Sequence, residues 1–167
     1  HLAQFKAKLK ERGATEQGRY QWYELQRYAA EYFNEFKKTK IVYPDIAQRP
    51  KFLWDESGAF LGNTTYFIPS SEPWLLGILN SKLIWWFYSC ITATIRGGFV
   101  RYFSQYMEEI PIPNATVSQR TSLTERVRKI LAAPDSPAVP RLEFEIDDLV
   151  YKLYGLTKDE IALMESK

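Results

Sequence analysis

The feature that most constrains this chain is a stretch, Glu72 to Ile91, with helical spacing and almost no polar face. Leu75, Leu79, Leu83, Trp86 and Cys90 fall on one side of such a helix, while Trp74, Ile78 and Trp85 fall on another. A helix that is apolar all round has to be enclosed, by protein or by lipid. Residues 73–95 are long enough to span a bilayer, but Asn80, Ser81 and Lys82 lie in the middle, where a charge costs roughly 2.5–3.5 kcal/mol. The expectation is therefore a core helix and no membrane partner. Ser70 and Ser71 are placed to cap it, and Pro73 suits its first turn.

Enclosure needs partners, and short extended segments flank the helix. Thr64 to Ile68 is a β-branched and aromatic run. Lys40 to Ile46 reads KIVYPDI, a strand running into Pro44, which marks an edge or an exit from a sheet. Phe52 to Trp54 and Ala59 to Leu61 flank Asp55-Glu56-Ser57-Gly58 like the arms of a hairpin. Another extended segment, Phe99 to Tyr106, follows Gly97-Gly98, and the EIPIP run to Pro113 closes the compact region. The expected fold class is α+β, a small and mostly antiparallel sheet packed on the buried helix, with a helical C-terminal part.

The flanks divide into an N-terminal arm, residues 1–39, a core, 40–115, and a C-terminal segment, 116–167. In the arm, Leu2 to Lys10 is a helix candidate, Gly13 and Gly18 interrupt it, and Tyr20 to Lys37 reads as an aromatic-faced helix or an irregular arm. In the C-terminal segment, Val117 to Ala133 is amphipathic, with Leu123, Val127, Ile130 and Leu131 inward. A Pro-rich linker, Pro134 to Pro140, leads to a helix over Arg141 to Leu153 that Gly155 ends. Thr157 then caps a last helix, Lys158 to Glu165. This helical third is expected to project from the core.

The net charge is +2, with an uneven layout: residues 1–51 carry eleven Lys or Arg against six acids. A basic lobe fits nucleic acid or a solvated face. The single cysteine, Cys90, excludes an internal disulfide, points to a reducing compartment, and is expected to be a small buried hydrophobe. A chain that opens on His1 without a charged-then-apolar leader is expected to be a piece of a longer cytoplasmic protein.

Chemistry of its own is hard to find in the sequence. One histidine, His1, cannot build a catalytic triad or a histidine-rich metal site, and no phosphate-binding glycine loop is present. The acid pairs Asp55-Glu56, Glu108-Glu109 and Asp147-Asp148 read as solvated turns and helix surfaces. The expectation is no catalytic residue, no metal and no cofactor in the chain. What stands out is a set of polar residues offered among aromatics: Gln48, Arg49 and Lys51; Asn63, Thr64 and Thr65; Arg96, Gly97, Gly98, Arg101, Tyr102, Ser104, Gln105 and Tyr106. Arg can read guanine, Asn or Gln can read adenine, and Ser, Thr and Lys serve phosphates. Glycines at 97 and 98 would let the backbone approach a groove wall. From residues alone, ordinary loop polarity explains this set equally well.

KIVYPDIAQRPKFLWDESGAFLGNTTYFIPS, PWLLGILNSKLIWWFY and IRGGFVRYFSQYMEEIPIP resemble, in that order, the TaqI-like C-terminal specificity domain of adenine-specific DNA methyltransferases and type IIG restriction–modification enzymes. The resemblance is tight over Lys40 to Pro113. Tyr20 to Lys37 resembles the preceding W-x-E-L-Q segment, and Ile146 to Glu165 the helical end of such chains. It implies a target recognition domain that grips double-stranded DNA opposite methyltransferase or nuclease domains carried elsewhere in a phage-defence enzyme. S-adenosylmethionine, with Mg an open option, would belong to that parent, since the Asn/Asp-Pro-Pro-Tyr/Phe motif is absent here. The competing expectation is a structural or protein-docking domain of a phage-defence complex, without direct base reading.

Overall fold

The structure is a computed structural model that describes residues 1–24 and 32–166. The middle of the Tyr20 to Lys37 aromatic run, residues 25–31, lies outside the described residues; its last part, Phe33–Lys37, is a 3-10 turn. The chain forms two compact units, His1–Asn34 and Glu35–Lys167.

In the first unit a 3-10 turn, Leu2–Phe5, runs into α1 (Lys6–Lys10), and α2 (Gly13–Glu16) follows. Arg12 organises it by donating from its guanidinium to the carbonyls of Leu9, Trp22 and Glu24 at 2.9–3.1 Å. The Lys6 ammonium sits over the Trp22 ring, 5.2 Å from its centroid.

The second unit holds two three-stranded antiparallel sheets where the sequence predicts one. In the first, β1 (Lys40–Pro44) is central, flanked by β3 (Leu53–Asp55) and β4 (Thr65–Pro69). Its register sets Ile41 against Trp54 on one side and Ile68 on the other. In the second, β6 (Phe99–Arg101) lies between β2 (Ile46–Ala47) and β5 (Thr94–Ile95). The Phe52 to Leu61 hairpin does not form. β3 pairs with β1, and Asp55 is held away from a hairpin turn because its carboxylate is the ion partner of the fully buried Lys40, which also donates to the Phe36 carbonyl at 2.7 Å.

The long apolar helix is broken into α3 (Pro73–Leu79) and α4 (Lys82–Ile91), and the break has a polar cause. The Asn80 side chain accepts the Phe52 amide at 3.1 Å and donates to the Phe52 carbonyl at 2.9 Å, so it satisfies both backbone groups of the residue leading into β3. Ser81 then caps a new helix, accepting from Ile84 N–H while its hydroxyl donates to the Ile78 carbonyl. From α7 (Val139–Tyr154) the buried Asp147 accepts the Lys82 amide at 2.9 Å, serving a second orphan donor of the same helix start. The break resets the helical phase. Leu83, Ile84 and Tyr88 become the buried face of α4, and Cys90, expected to be buried, is exposed. Neither Ser70 nor Ser71 caps α3; the Ser70 hydroxyl accepts the Glu72 amide ahead of it.

The C-terminal helices do not project. α6 (Val117–Ala132) opens on a Thr116–Gln119 capping box and α8 (Lys158–Glu165) on a Thr157–Glu160 one. Leu123, Val127, Ile146, Val150, Tyr151 and Met164 join Ile41, Ile78, Leu79 and Tyr88 in one core. The physical reason is α3 itself, whose apolar surface is too wide for a three-stranded sheet to cover and so takes these helices as well. At Gly77 an added β-carbon would stand 3.0 Å from Val127 Cγ2, so glycine permits the close approach of α3 and α6. Leu131, expected inward, is exposed, and the predicted linker shrinks because α7 starts at Val139. The EIPIP exit is pinned by Ile110 in the core and by Tyr154, whose hydroxyl donates to the Pro111 carbonyl at 2.5 Å. No helix among the described residues is long and apolar enough to cross a membrane.

Candidate nucleic-acid interface

Pro44 ends β1 as a strand because its nitrogen has no proton to donate. The next residue, Asp45, takes over the bonding for both sheets. Its N–H donates to the Thr64 carbonyl at 2.9 Å, beside the start of β4, and its carbonyl accepts the Tyr102 N–H at 2.8 Å, beside the end of β6. Its carboxylate meets the Arg101 guanidinium, Oδ2 to Nη2, at 3.0 Å. One residue thus ties together two of the three polar stretches that the sequence picks out separately, the one at Thr64 and the one at Arg101 and Tyr102.

The third stretch is a tight hairpin. Thr94 faces Val100 and Ile95 faces Phe99, which leaves Arg96-Gly97-Gly98 as the loop between β5 and β6. Gly97 and Gly98 have φ of +88° and +76°, a region that a β-carbon disfavours, so the glycines are there to make the turn. Gln48, just past β2, donates from Nε2 to the Gly97 carbonyl at 2.8 Å and braces the loop from the side. On the opposite strand the Arg101 carbonyl accepts from both Tyr88 Oη and Thr92 Oγ1 at 2.9 Å. Beneath this edge Tyr43, Phe52, Tyr88 and Tyr102 pack ring to ring, with centroids 5.0–5.6 Å apart.

The predicted residues fall into three groups. Gln48, Gly97 and Gly98 build the braced hairpin loop, while Asp45 joins Arg101 to the Thr64 carbonyl. Arg49, Lys51, Asn63, Arg96, Ser104 and Gln105 are exposed around it, Ser104 and Gln105 on a single-turn helix, α5 (Ser104–Met107), where extended chain was expected. Thr65 sits half-buried at the start of β4, its N–H donating to the Gly62 carbonyl in the preceding turn. Tyr102 is withheld: it is 3% exposed, and burial pushes its phenol well above the ordinary tyrosine range. Its side chain belongs to the aromatic floor. Tyr106 is likewise half-buried and packs on the core. Arg49, Lys51 and Arg96 enter no ion pair among the described residues, so three cations stand open on this surface, whereas Arg101 pairs with Asp45 and not with Glu108 or Glu109.

Asp45, the joint of this edge, is the residue that the sequence reading passed over. Its signal was there, a lone acid after Pro44 in a set otherwise made of cations and amides. The acid pairs singled out from sequence have other work. Asp55 is held at a pKa of about 2 by hydrogen bonds from Lys40 and the Ser57 hydroxyl, and Asp147 is pushed up by burial while it serves α4. No group of three or more His, Cys, Asp or Glu among the described residues could hold a metal ion. A cleft of about 460 Å³ between α4 and α8 is walled by Trp85, Trp86, Cys90 and Met164 and is also lined by Lys82 and Glu165, which pair with each other at 3.3 Å.

The arrangement offers one exposed rim of donors on an aromatic floor, and parts of known proteins are similar to the chain in sequence. The chain is 27% identical over 128 residues to the type II methyltransferase M.BanIII of Aneurinibacillus aneurinilyticus, covering 71% of this chain and 22% of that protein. It is 29% identical to the type II methyltransferase M.XhoI of Xanthomonas vasicola, covering 74% and 22%, and 26% identical to M.PaeR7I of Pseudomonas aeruginosa, covering 74% and 21%. The chain therefore spans about a fifth of the length of these relatives. The profile of the TaqI-like C-terminal specificity domain matches residues 4–112, which takes in both sheets, α3, α4 and the whole Asp45 network. The chain belongs to the family of TaqI-like C-terminal specificity domains.

Proposed function

We propose that this chain is the target recognition part of a DNA adenine methyltransferase, or of a type IIG enzyme that also cuts, and that it selects the duplex sequence on which catalytic domains outside it act. Residues 40–115 carry the reading, residues 116–167 brace it, and the basic segment 1–39 adds phosphate contacts. The observation that carries this reading is the convergence at Asp45, where loops distant in sequence are joined into one exposed edge. Arg49, Lys51 and Arg96 are free to meet phosphates or base edges, while Gln48, Asn63, Ser104 and Gln105 supply amide and hydroxyl groups. The aromatic floor keeps that edge from rearranging, which is what separates a sequence reader from a merely basic surface. The partner of this edge is double-stranded DNA, in the cytoplasm, and S-adenosylmethionine binds in the parent's catalytic part.

The test is binding and methylation by the intact protein. Affinity for duplex DNA should fall steeply with salt, as phosphate contacts release counterions. Methyl transfer should concentrate on one short sequence, and replacing Arg96 or Arg101 with Ala should relax the choice of that sequence. Methylation that ignores sequence, or a sequence choice untouched by both replacements, would remove the reading from this edge.

A further inference from the structure

We infer that Asp45 is a positioning residue that fixes the Arg101 guanidinium for reading a guanine, an inference that rests on the DNA-reading role proposed above.

Arg101 is held at both ends. Its backbone is fixed by the β6 pairing with Ile46 and by two hydroxyls on its carbonyl, from Tyr88 and Thr92. Its guanidinium is fixed by Asp45 at Nη2, 3.0 Å away, and lies 5.5 Å from the centroid of the Phe103 ring. The side chain is nonetheless 46% exposed. A guanidinium carries five N–H donors in a rigid fork. Asp45 engages one nitrogen, and donors on the remainder of the fork stay open to a ligand. Two donors in a fixed plane match the O6 and N7 acceptors of guanine in the major groove, and no other base presents that pair of acceptors.

The carboxylate itself needs an explanation. Facing phosphates, it repels them at every sequence alike, so it weakens affinity and adds nothing to it by that route. Holding an arginine in one orientation gives it a sequence-dependent effect, since a floppy arginine would find phosphates as readily as a base. Asp45 is also anchored by its own N–H and carbonyl to Thr64 and Tyr102, so its carboxylate is a fixed point. The competing use of an acid here is direct reading, by accepting from the cytosine amino group. The two uses differ in which base pair each residue controls.

The experiment measures methyl transfer by the intact methyltransferase on its preferred duplex and on every single-base-pair variant, with Asp45→Ala, Asp45→Asn, Arg101→Ala, Arg101→Lys and the Asp45→Ala/Arg101→Ala double variant. Arg101→Ala should erase discrimination at one G·C pair, by about 5- to 150-fold. Asp45→Ala should relax the same pair, and the double variant should discriminate no worse than Arg101→Ala. Arg101→Lys, which keeps charge but not the fork, should keep affinity and lose the discrimination. Thermal melting separates folding from reading, and Asp45→Asn, which keeps an acceptor of the same size, should melt like the parent while retaining part of the discrimination. Relaxation by Asp45→Ala at a different base pair, or an equal change on every duplex, overturns the inference. So does discrimination that survives Arg101→Ala. Survival of that kind moves base reading to other residues and leaves the DNA-reading role standing, whereas a parent that methylates all duplexes equally removes both.

Discussion

Two polar knots interrupt regular structure in this domain, one at Asp45 and one at Asn80-Ser81, and they end in opposite ways. At Asn80-Ser81 the side-chain hydrogen bonds turn inward: to Phe52, to Leu76, to Ile78, to Ile84, and from Lys82 to Asp147. Ser81 is 1% exposed, and nothing is left for a ligand. At Asp45 the backbone bonds also turn inward, but the side-chain partner, Arg101, keeps open donors at the surface. A buried knot serves the fold by satisfying groups that would otherwise be orphaned; an exposed one holds a tool. Polarity in the sequence marks both, and burial tells them apart.

The difference should show most strongly in stability. Asn80→Leu leaves both backbone groups of Phe52 without their partner and should destabilise by about 2 kcal/mol or more, at about 1–3 kcal/mol per buried group left unpaired. The preferred DNA sequence should not change. Denaturant melts that match the parent would mean that Asn80 does not hold the break.

Acid should separate two carboxylates near the core with opposite signs. Asp55 has its folded pKa lowered to about 2 by Lys40 and Ser57, so its contribution is present above the unfolded value near 3.8 and is lost as pH falls toward 2. Burial raises Asp147, so its ionisation costs stability as pH rises above that unfolded value. Asp55→Asn should therefore flatten the acid limb of a stability–pH curve. Asp147→Asn, which keeps an oxygen for the Lys82 amide, should leave the protein as stable or slightly more stable at neutral pH. A loss at pH 7 comparable to that of Asn80→Leu would show that the charge on Asp147 is needed.

At the exposed knot the stability effects should be small. Arg101→Ala breaks a half-exposed ion pair, for which about 1 kcal/mol is an upper figure. A larger loss of melting stability would make Arg101 a structural residue and erase the contrast with Asn80. Smallest of all is Lys51→Ala, which should leave melting and sequence choice alone and reduce the slope of log affinity against log salt by about one.

Much of this was readable from residues. The α+β class, the Thr157 cap, the Gly155 stop and the turn at Gly97-Gly98 follow from local chemistry, and the structure agrees. What failed was tertiary. Asn80 and Ser81 look tolerable within a helix, and only the unpaired backbone of Phe52, distant in sequence, makes a break there favourable. The Phe52 to Leu61 hairpin failed for a similar reason, because β3 pairs with β1, distant in sequence, and not with residues 59–61. Of the candidate reading residues, most lie on the surface as polarity and glycine predict. Tyr102 does not, because alternation in a strand as short as β6 does not reveal which face is covered. Asp45 went unnoticed because a lone acid after a proline does not show which distant groups its N–H and carbonyl will reach.

That last point bears on how such a domain could change its target. The joint between the two sheets is made by the main chain of residue 45 with the main chain of residues 64 and 102. Substitutions at Thr64 or Arg101 leave the Asp45 backbone bonds in place, and any residue except proline at 45 preserves the N–H that closes the first sheet. The side chains along the rim are therefore decoupled from the joint that supports them. A lineage could exchange those side chains one at a time, passing through folded intermediates, and arrive at a new sequence preference on an inherited frame.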